Sequence, residues 1–221
     1  SSWSAVNTGL PTLDIKSIVI DGSNIFAGTN GGGVFLSTNL GTSWASINNG
    51  LTNFNITSLA ISGTNIFACT YGGGVFLSTN NGNTWNAINT GLPNLLISAI
   101  SIVGTNIFVV SEGQGVYLST NNGTSWTLFN SGLGTTEIRC LTSDGSSLFA
   151  GTNRSGVWKT PISVGCIPIS YNSNSGNQNV VAPAAAQFAV NVTGTSPSYQ
   201  WQVSSNGGSS WSVSFPFFRT T

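Results

Sequence analysis

Four tryptophans, Trp3, Trp44, Trp85 and Trp126, follow one another at intervals of 41 residues, and the register holds without a gap as far as Thr160. Phe26, Phe67, Phe108 and Phe149 keep step, as do Gly33, Gly74, Gly115 and Gly156, then Val34, Val75, Val116 and Val157. Such a period means stacked copies of one supersecondary unit, because a unit of this size cannot bury its apolar faces alone. Each unit has four short beats. IKSIVI (15–20) or ITSLAI (56–61) leads, followed by NIFAGT, a glycine-rich turn, GVFLST, an NLG or NNG turn, and SWASIN. The beats run 5 to 7 residues between Gly, Asn, Asp or Ser and carry no helical period, so they predict a four-stranded antiparallel meander. Tandem sheets of about 40 residues fit the blades of a β-propeller, where each sheet buries both faces against its neighbours. The expected fold class is all-β, with propeller blades over 1–160.

Between the third and fourth beats, STNLGTSW (37–44), STNNGNTW (78–85) and STNNGTSW (119–126) share the pattern S-x-N-x-G-x-[ST]-W. This pattern resembles the Asp-box, or BNR, repeat of sialidases, sortilin-type receptors and secreted bacterial propellers. Asn39, Asn80 and Asn121 stand where that family more often has Asp. Either side chain accepts hydrogen bonds from backbone N–H groups across a tight turn and tolerates left-handed dihedrals. Ser37, Ser78 and Ser119 open the box, and Gly41, Gly82 and Gly123 are expected to supply positive φ. Trp44, Trp85 and Trp126 close it, folding back over the hairpin to cap the edge of the core. The box reads as a structural staple. The resemblance places it on the propeller face opposite the ligand site.

Composition limits the chemistry. Five basic and five acidic residues in 221 leave only 5% charge, against roughly 25% in an average soluble protein. No basic patch is available to neutralise a row of phosphates, so nucleic acid is not an expected partner, and neither is an anionic membrane surface. No apolar run reaches the roughly 18 residues that suggest membrane insertion. SSWSAVNTGL lacks the basic and apolar regions of a signal peptide, so the chain reads as secreted or cell-surface with its signal removed, or as an internal piece. Cys69, Cys140 and Cys166 sit at unrelated positions and read as small buried hydrophobes.

Catalysis is not expected. The resemblance to sialidases implies an arginine triad, yet the repeats hold only Arg139 and Arg154. A chain without histidine has neither an imidazole-based triad nor a histidine metal site. Of the acidic residues Asp14, Asp21, Glu112, Glu137 and Asp144, two, Asp21 and Asp144, fall in DG turns, and no convincing carboxylate pair for glycoside hydrolysis emerges. No cofactor and no metal are expected.

A binding module would use other loops. The resemblance implies ligand-facing loops between the second and third strands and between successive blades. The former read TNGGG, TYGGG, SEGQG and TNRSG, varying Asn30, Tyr71, Glu112 and Asn153 at one equivalent place, with Arg154 beside the last. A ring of polar and aromatic side chains is what a glycan or peptide site needs; solvated loop tips that vary freely are the other reading. The repeated G-L of the interblade segments reads as a packing anchor.

After GVWKTPIS the register stops. Residues 161–179 read as a linker, and 180–221 as a truncated immunoglobulin-like module: AAAQFAVNVTG and SYQWQVSSNGGSSWSVS look like its early strands, with Trp201 in the core. The 42 residues of 180–221 fall short of the roughly 100 a sandwich needs, and SSNGGSSW (204–211) again has the box spacing. Two readings of the repeats stay open. Residues 2–7 complete the blade at 138–160 and close a four-bladed ring, or the blades are part of a larger ring; the second is favoured. The expected function is non-catalytic adhesion, or recognition of glycan or protein at a cell surface. The alternatives are a fragment of a sialidase-like glycoside hydrolase whose catalytic residues lie outside this chain, and an assembly-factor propeller with a protein partner only.

Overall fold

The computed structural model describes residues 1–162, 170–174, 190–193, 202–203 and 212–213. The chain divides into two compact units, Ser1–Val164 and Gly165–Thr221. No helix occurs among the described residues.

The first unit is a series of antiparallel meanders, each in chain order. Blade 1 holds β1 (Ile15–Asp21), β2 (Asn24–Thr29), β3 (Gly33–Ser37) and β4 (Ala45–Ser46). Blade 2 holds β5 (Ile56–Ser62), β6 (Asn65–Thr70), β7 (Gly74–Ser78) and β8 (Asn86–Ala87). Blade 3 holds β9 (Ile97–Val103), β10 (Asn106–Ser111), β11 (Gly115–Ser119) and β12 (Thr127–Leu128). Among the described residues blade 4 has three strands, β13 (Ile138–Ser143), β14 (Ser147–Thr152) and β15 (Val157–Pro161). The first two strands of blades 1 to 3 are joined by two-residue turns that open on Gly22, Gly63 and Gly104, each with a φ between 56° and 59°. That left-handed start matches the twist of a tight hairpin.

Successive blades touch through their first strands, β1 on β5, β5 on β9 and β9 on β13. Three apolar clusters fill these junctions. Phe26 and Val34 of blade 1 pack with Ile56, Leu59 and Trp85 of blade 2; Phe67 and Val75 pack with Ile97, Ile107 and Trp126 of blade 3; Phe108 and Val116 pack with Ile138 and Leu148 of blade 4. The G-L leucines serve as anchors: Leu51 is buried in the first cluster, and Leu92 and Leu133 pack against the others.

Each box is a hydrogen-bonded hairpin. In the first, the Ser37 hydroxyl accepts from Gly41 N–H at 2.8 Å and donates to Asn39 Oδ1 at 2.9 Å. Asn39 Oδ1 also accepts from Ser43 N–H at 2.9 Å, and its amide donates to the Ser43 hydroxyl. The second and third boxes repeat this through Ser78 and Asn80, then Ser119 and Asn121. Gly41, Gly82 and Gly123 have φ of 85°, 83° and 81°, and the residues before them, Leu40, Asn81 and Asn122, are left-handed too.

The structure extends one expectation and corrects another. The box tryptophans do more than cap their own hairpins: Trp85 Nε1 donates to the Ile47 carbonyl at 2.7 Å and Trp126 Nε1 to that of Ile88 at 2.6 Å, so each ties its blade to the preceding one. Trp44 does the same to Val6. Cys69 is buried as expected, its thiol pushed up by desolvation, but Cys140 is exposed on β13 because β1-type strands bury one side only where a neighbour covers them. Among the described residues, 1–7 form no strand and do not pair with β15.

In the second unit β16 (Ser170–Asn174) pairs with β17 (Val190–Thr193), and β18 (Gln202–Val203) with β19 (Ser212–Val213). The pair Val203↔Ser212 brackets 204–211 in the register with which Leu36↔Ala45 brackets the box at 37–44. Cys166, Trp201 and most of the expected linker and immunoglobulin-like module lie outside the described residues.

Candidate functional site

Strand direction sorts the loops. The β2–β3 turn of each blade and the start of its first strand lie at one end, the loop rim, while the box hairpins leave from the opposite ends of the third strands. Asn30, Tyr71, Glu112 and Asn153 occupy the same place on this rim. Their backbone N–H groups donate at 2.9 Å to the carbonyls of Asp14, Asn55, Leu96 and Glu137, each just ahead of its blade's first strand. Thr29 and Thr70 lock the first two turns, each hydroxyl accepting from a glycine N–H at 3.1 Å and donating to a glycine carbonyl at 2.9 Å.

Side-chain pairs join these positions. Asn30 Nδ2 donates to Asp14 Oδ2 at 2.9 Å, and Lys16 Nζ lies 2.8 Å from Asp14 Oδ1. The hydrogen bond from Lys16, with that from Asn30, holds the Asp14 carboxyl below the usual carboxylate range. Asn153 Nδ2 donates to Glu137 Oε2 at 3.0 Å. Across a blade boundary, the Glu112 carboxylate raises the Tyr71 phenol above its ordinary range. Arg154 has a φ of 76° where the other three units carry Gly31, Gly72 and Gly113. A non-glycine residue held left-handed costs about 1 kcal/mol or more.

Two features of the rim were not singled out from the sequence. The first is the position two residues before each of the first three blades' leading strands, occupied by Leu13, Phe54 and Leu95, between 41% and 67% exposed. Its backbone is fixed: the Phe54 carbonyl accepts from Gly31 and Gly33 N–H, and that of Leu95 from Gly72 and Gly74 N–H, all within 3.0 Å. Apolar side chains are thus presented to solvent on a rigid support. The 41-residue register already aligned them, but an apolar residue beside a strand reads as core until the fold shows which way it faces. The second is a bulge at Lys16, Thr57, Ser98 and Arg139, where each first strand skips one residue in its ladder. Bulges re-aim side chains, and here they set Lys16 and Arg139 on the rim. Of the nine charged residues in 1–162, six (Asp14, Lys16, Glu112, Glu137, Arg139 and Arg154) stand on this rim, leaving Asp21, Asp144 and Lys159 elsewhere. Among the described residues no group of three or more His, Cys, Asp or Glu could hold a metal ion.

Against known proteins, residues 1–107 match the family described as the DUF6242 beta propeller domain. No curated protein sequence matches the chain. Among solved structures, the extracellular domain of the hybrid two component system BT3049 from B. thetaiotaomicron is similar at 18% identity and TM-score 0.58, over 86% of this chain and 28% of that one. An ancestral GH74 enzyme is similar at 23% identity and TM-score 0.57, over 72% of this chain and 24% of the enzyme. The computationally designed Ika4 protein is similar at 10% identity and TM-score 0.57, over 73% of this chain and 99% of the design. The chain therefore spans about a quarter of the first two proteins and nearly all of the designed one. The shared property is the fold. The first unit is an all-β array of four-stranded propeller blades with extracellular domains among its structural neighbours.

Proposed function

We propose that this chain is a non-catalytic recognition module, exported or displayed at a cell surface, that binds glycan or protein through the loop rim. One observation carries the reading: six of nine charged side chains and the exposed series Leu13, Phe54, Tyr71 and Leu95 converge on one rim of a chain otherwise nearly free of charge. A locked backbone presenting varied apolar, amide and ionic groups loses little entropy on binding, which is how a preformed surface gains affinity. The box hairpins belong, in this reading, to the Asp-box type and serve the fold. An extracellular setting draws support from the B. thetaiotaomicron neighbour.

The test is a screen of the chain against glycan and peptide panels beside a Tyr71→Ala, Leu95→Ser variant. Binding by the parent that the double variant loses, with unchanged unfolding, is the expected result. Binding that survives the two substitutions would remove the rim from the account. A second reading, a piece of a glycoside hydrolase whose catalytic residues lie elsewhere, draws on the GH74 neighbour. Hydrolysis of a glycan bound at this rim would favour it.

A further inference from the structure

The rim turns and the strand entries beside them join into one ladder. Within a blade, the pairing of the first two strands runs one step past Ile15↔Thr29, Ile56↔Thr70 and Ile97↔Ser111, setting Asp14 opposite Asn30, Asn55 opposite Tyr71 and Leu96 opposite Glu112. Each of these steps carries a backbone hydrogen bond of 2.9 Å. Between blades, isolated antiparallel bridges connect Asn30 to Asn55 and Tyr71 to Leu96. The steps link end to end. Asp14, Asn30, Asn55, Tyr71, Leu96 and Glu112 thus form a continuous row across three blades, and residues directly opposite in an antiparallel ladder put their side chains on the same face. At one end of the row the Asn30 amide donates to the Asp14 carboxylate at 2.9 Å. At the other, Tyr71 feels the Glu112 carboxylate across Leu96.

Two properties of this row select a ligand. The main chain is already engaged: the N–H groups of Asp14, Asn55 and Leu96 donate to side-chain oxygens of Thr12, Asn53 and Asn94, and those of Asn30, Tyr71 and Glu112 donate to carbonyls within the row. The Tyr71 and Glu112 carbonyls accept in turn from the Asn53 and Asn94 amides. A peptide that recognises a sheet edge needs free main-chain donors, so a ligand here is read by side chains. The second property is charge. The row holds two carboxylates, and the cation beside it, Lys16, lies 2.8 Å from Asp14. An anionic polymer would meet repulsion. What the row offers is amides and carboxylates flanking the ring of Tyr71, which is 47% exposed. Planar hydrogen-bonding groups suit neighbouring hydroxyls, and an aromatic ring suits the C–H face of a sugar. The ladder step of about 4.8 Å is close to the length of one pyranose unit in an extended chain.

We infer that a neutral, extended oligosaccharide lies along this row, stacked on Tyr71 and hydrogen-bonded by Asn30, Asn55 and Glu112. The inference rests on the rim being a recognition surface and adds the chemical class of its ligand. Because the backbone of the row is held from both sides, the sugar meets side chains on a support that does not have to be ordered by binding.

Isothermal titration of the whole chain with cello-, manno- and galacto-oligosaccharides of increasing length tests this, beside two charged probes, an oligogalacturonate and a lysine-rich peptide. A neutral oligosaccharide is expected to bind, with affinity that rises with length, levels off near about six units and is insensitive to salt. Tyr71→Ala should weaken binding about tenfold and Asn55→Ala by less. Leu40→Asn, on a box hairpin at the opposite rim, should leave it unchanged. Binding of a charged probe but of no neutral oligosaccharide, with loss in Tyr71→Ala, would overturn this inference while the rim remained a recognition surface. Binding of a neutral oligosaccharide that withstands both Tyr71→Ala and Asn55→Ala would overturn the inference and remove the rim from the account. Failure of every probe to bind would also overturn it.

Discussion

The box hairpins leave seven residues between their strands and repeat almost letter for letter, whereas the shorter turns of the loop rim differ from blade to blade. The box spends its side chains inward. Its serine and asparagine satisfy backbone groups of their own hairpin, and its tryptophan bonds the neighbouring blade. On the loop rim the turn is held by backbone donors and by threonine, so Asn30, Tyr71, Glu112 and Asn153 are released from structural work. Where the main chain satisfies itself, side chains are free to vary toward a ligand.

The comparison breaks most visibly at tryptophan. Trp85→Ala empties a buried indole site and should cost about 3–5 kcal/mol in denaturant unfolding, whereas Tyr71→Ala on the rim should stay within about 0.5 kcal/mol. Next comes Ser78→Ala. It leaves the Gly82 N–H and Asn80 Oδ1 without their hydroxyl partner in a buried turn, and a loss of about 1–3 kcal/mol is expected by the same measurement. Gly91→Ala follows: it imposes left-handed strain and sets a Cβ against the Trp126 carbonyl, so the melting temperature should fall.

Acid has the smallest effect. Asp14 is held below its ordinary pKa by Lys16, then Asn30, and Asp144 by the Ser146 N–H. A carboxyl depressed in the folded state stabilises above its unfolded pKa, and that contribution disappears as pH falls through the folded value. Loss of stability from these groups should therefore be confined to below roughly pH 4. Melting followed from neutral pH into acid, for the parent and for Asp14→Asn, checks the sign: the variant should lose part of the parent's acid dependence.

Much of the fold was legible because its signals are local. Two-residue turns opening on Gly22 and Gly63, the box glycines and the alternation of short apolar beats each act within a few residues. The rim positions of Asn30, Tyr71, Glu112, Asn153 and Arg154 were legible for the same reason, being substitutions against a constant background. Leu13, Phe54 and Leu95 were not, since an apolar side chain beside a strand announces burial and only the assembled blades turn it outward. Cys140 erred the other way. It lies on the first strand of its blade, β13, and is exposed, whereas Cys69 lies on the second strand of its own, β6, and is buried.

The sequence by itself determined the unit: four beats, a stapled hairpin, a glycine wherever the chain must turn left-handed, and the 41-residue step between copies. Only the tertiary structure decided which copies of a position are buried. Val34, Val75 and Val157 sit in the same G-V step of the same strand, yet the first two are sealed between blades and the third faces outward. Secondary structure depends on residues a few positions away, whereas burial depends on the surface placed opposite, and no residue carries that information alone.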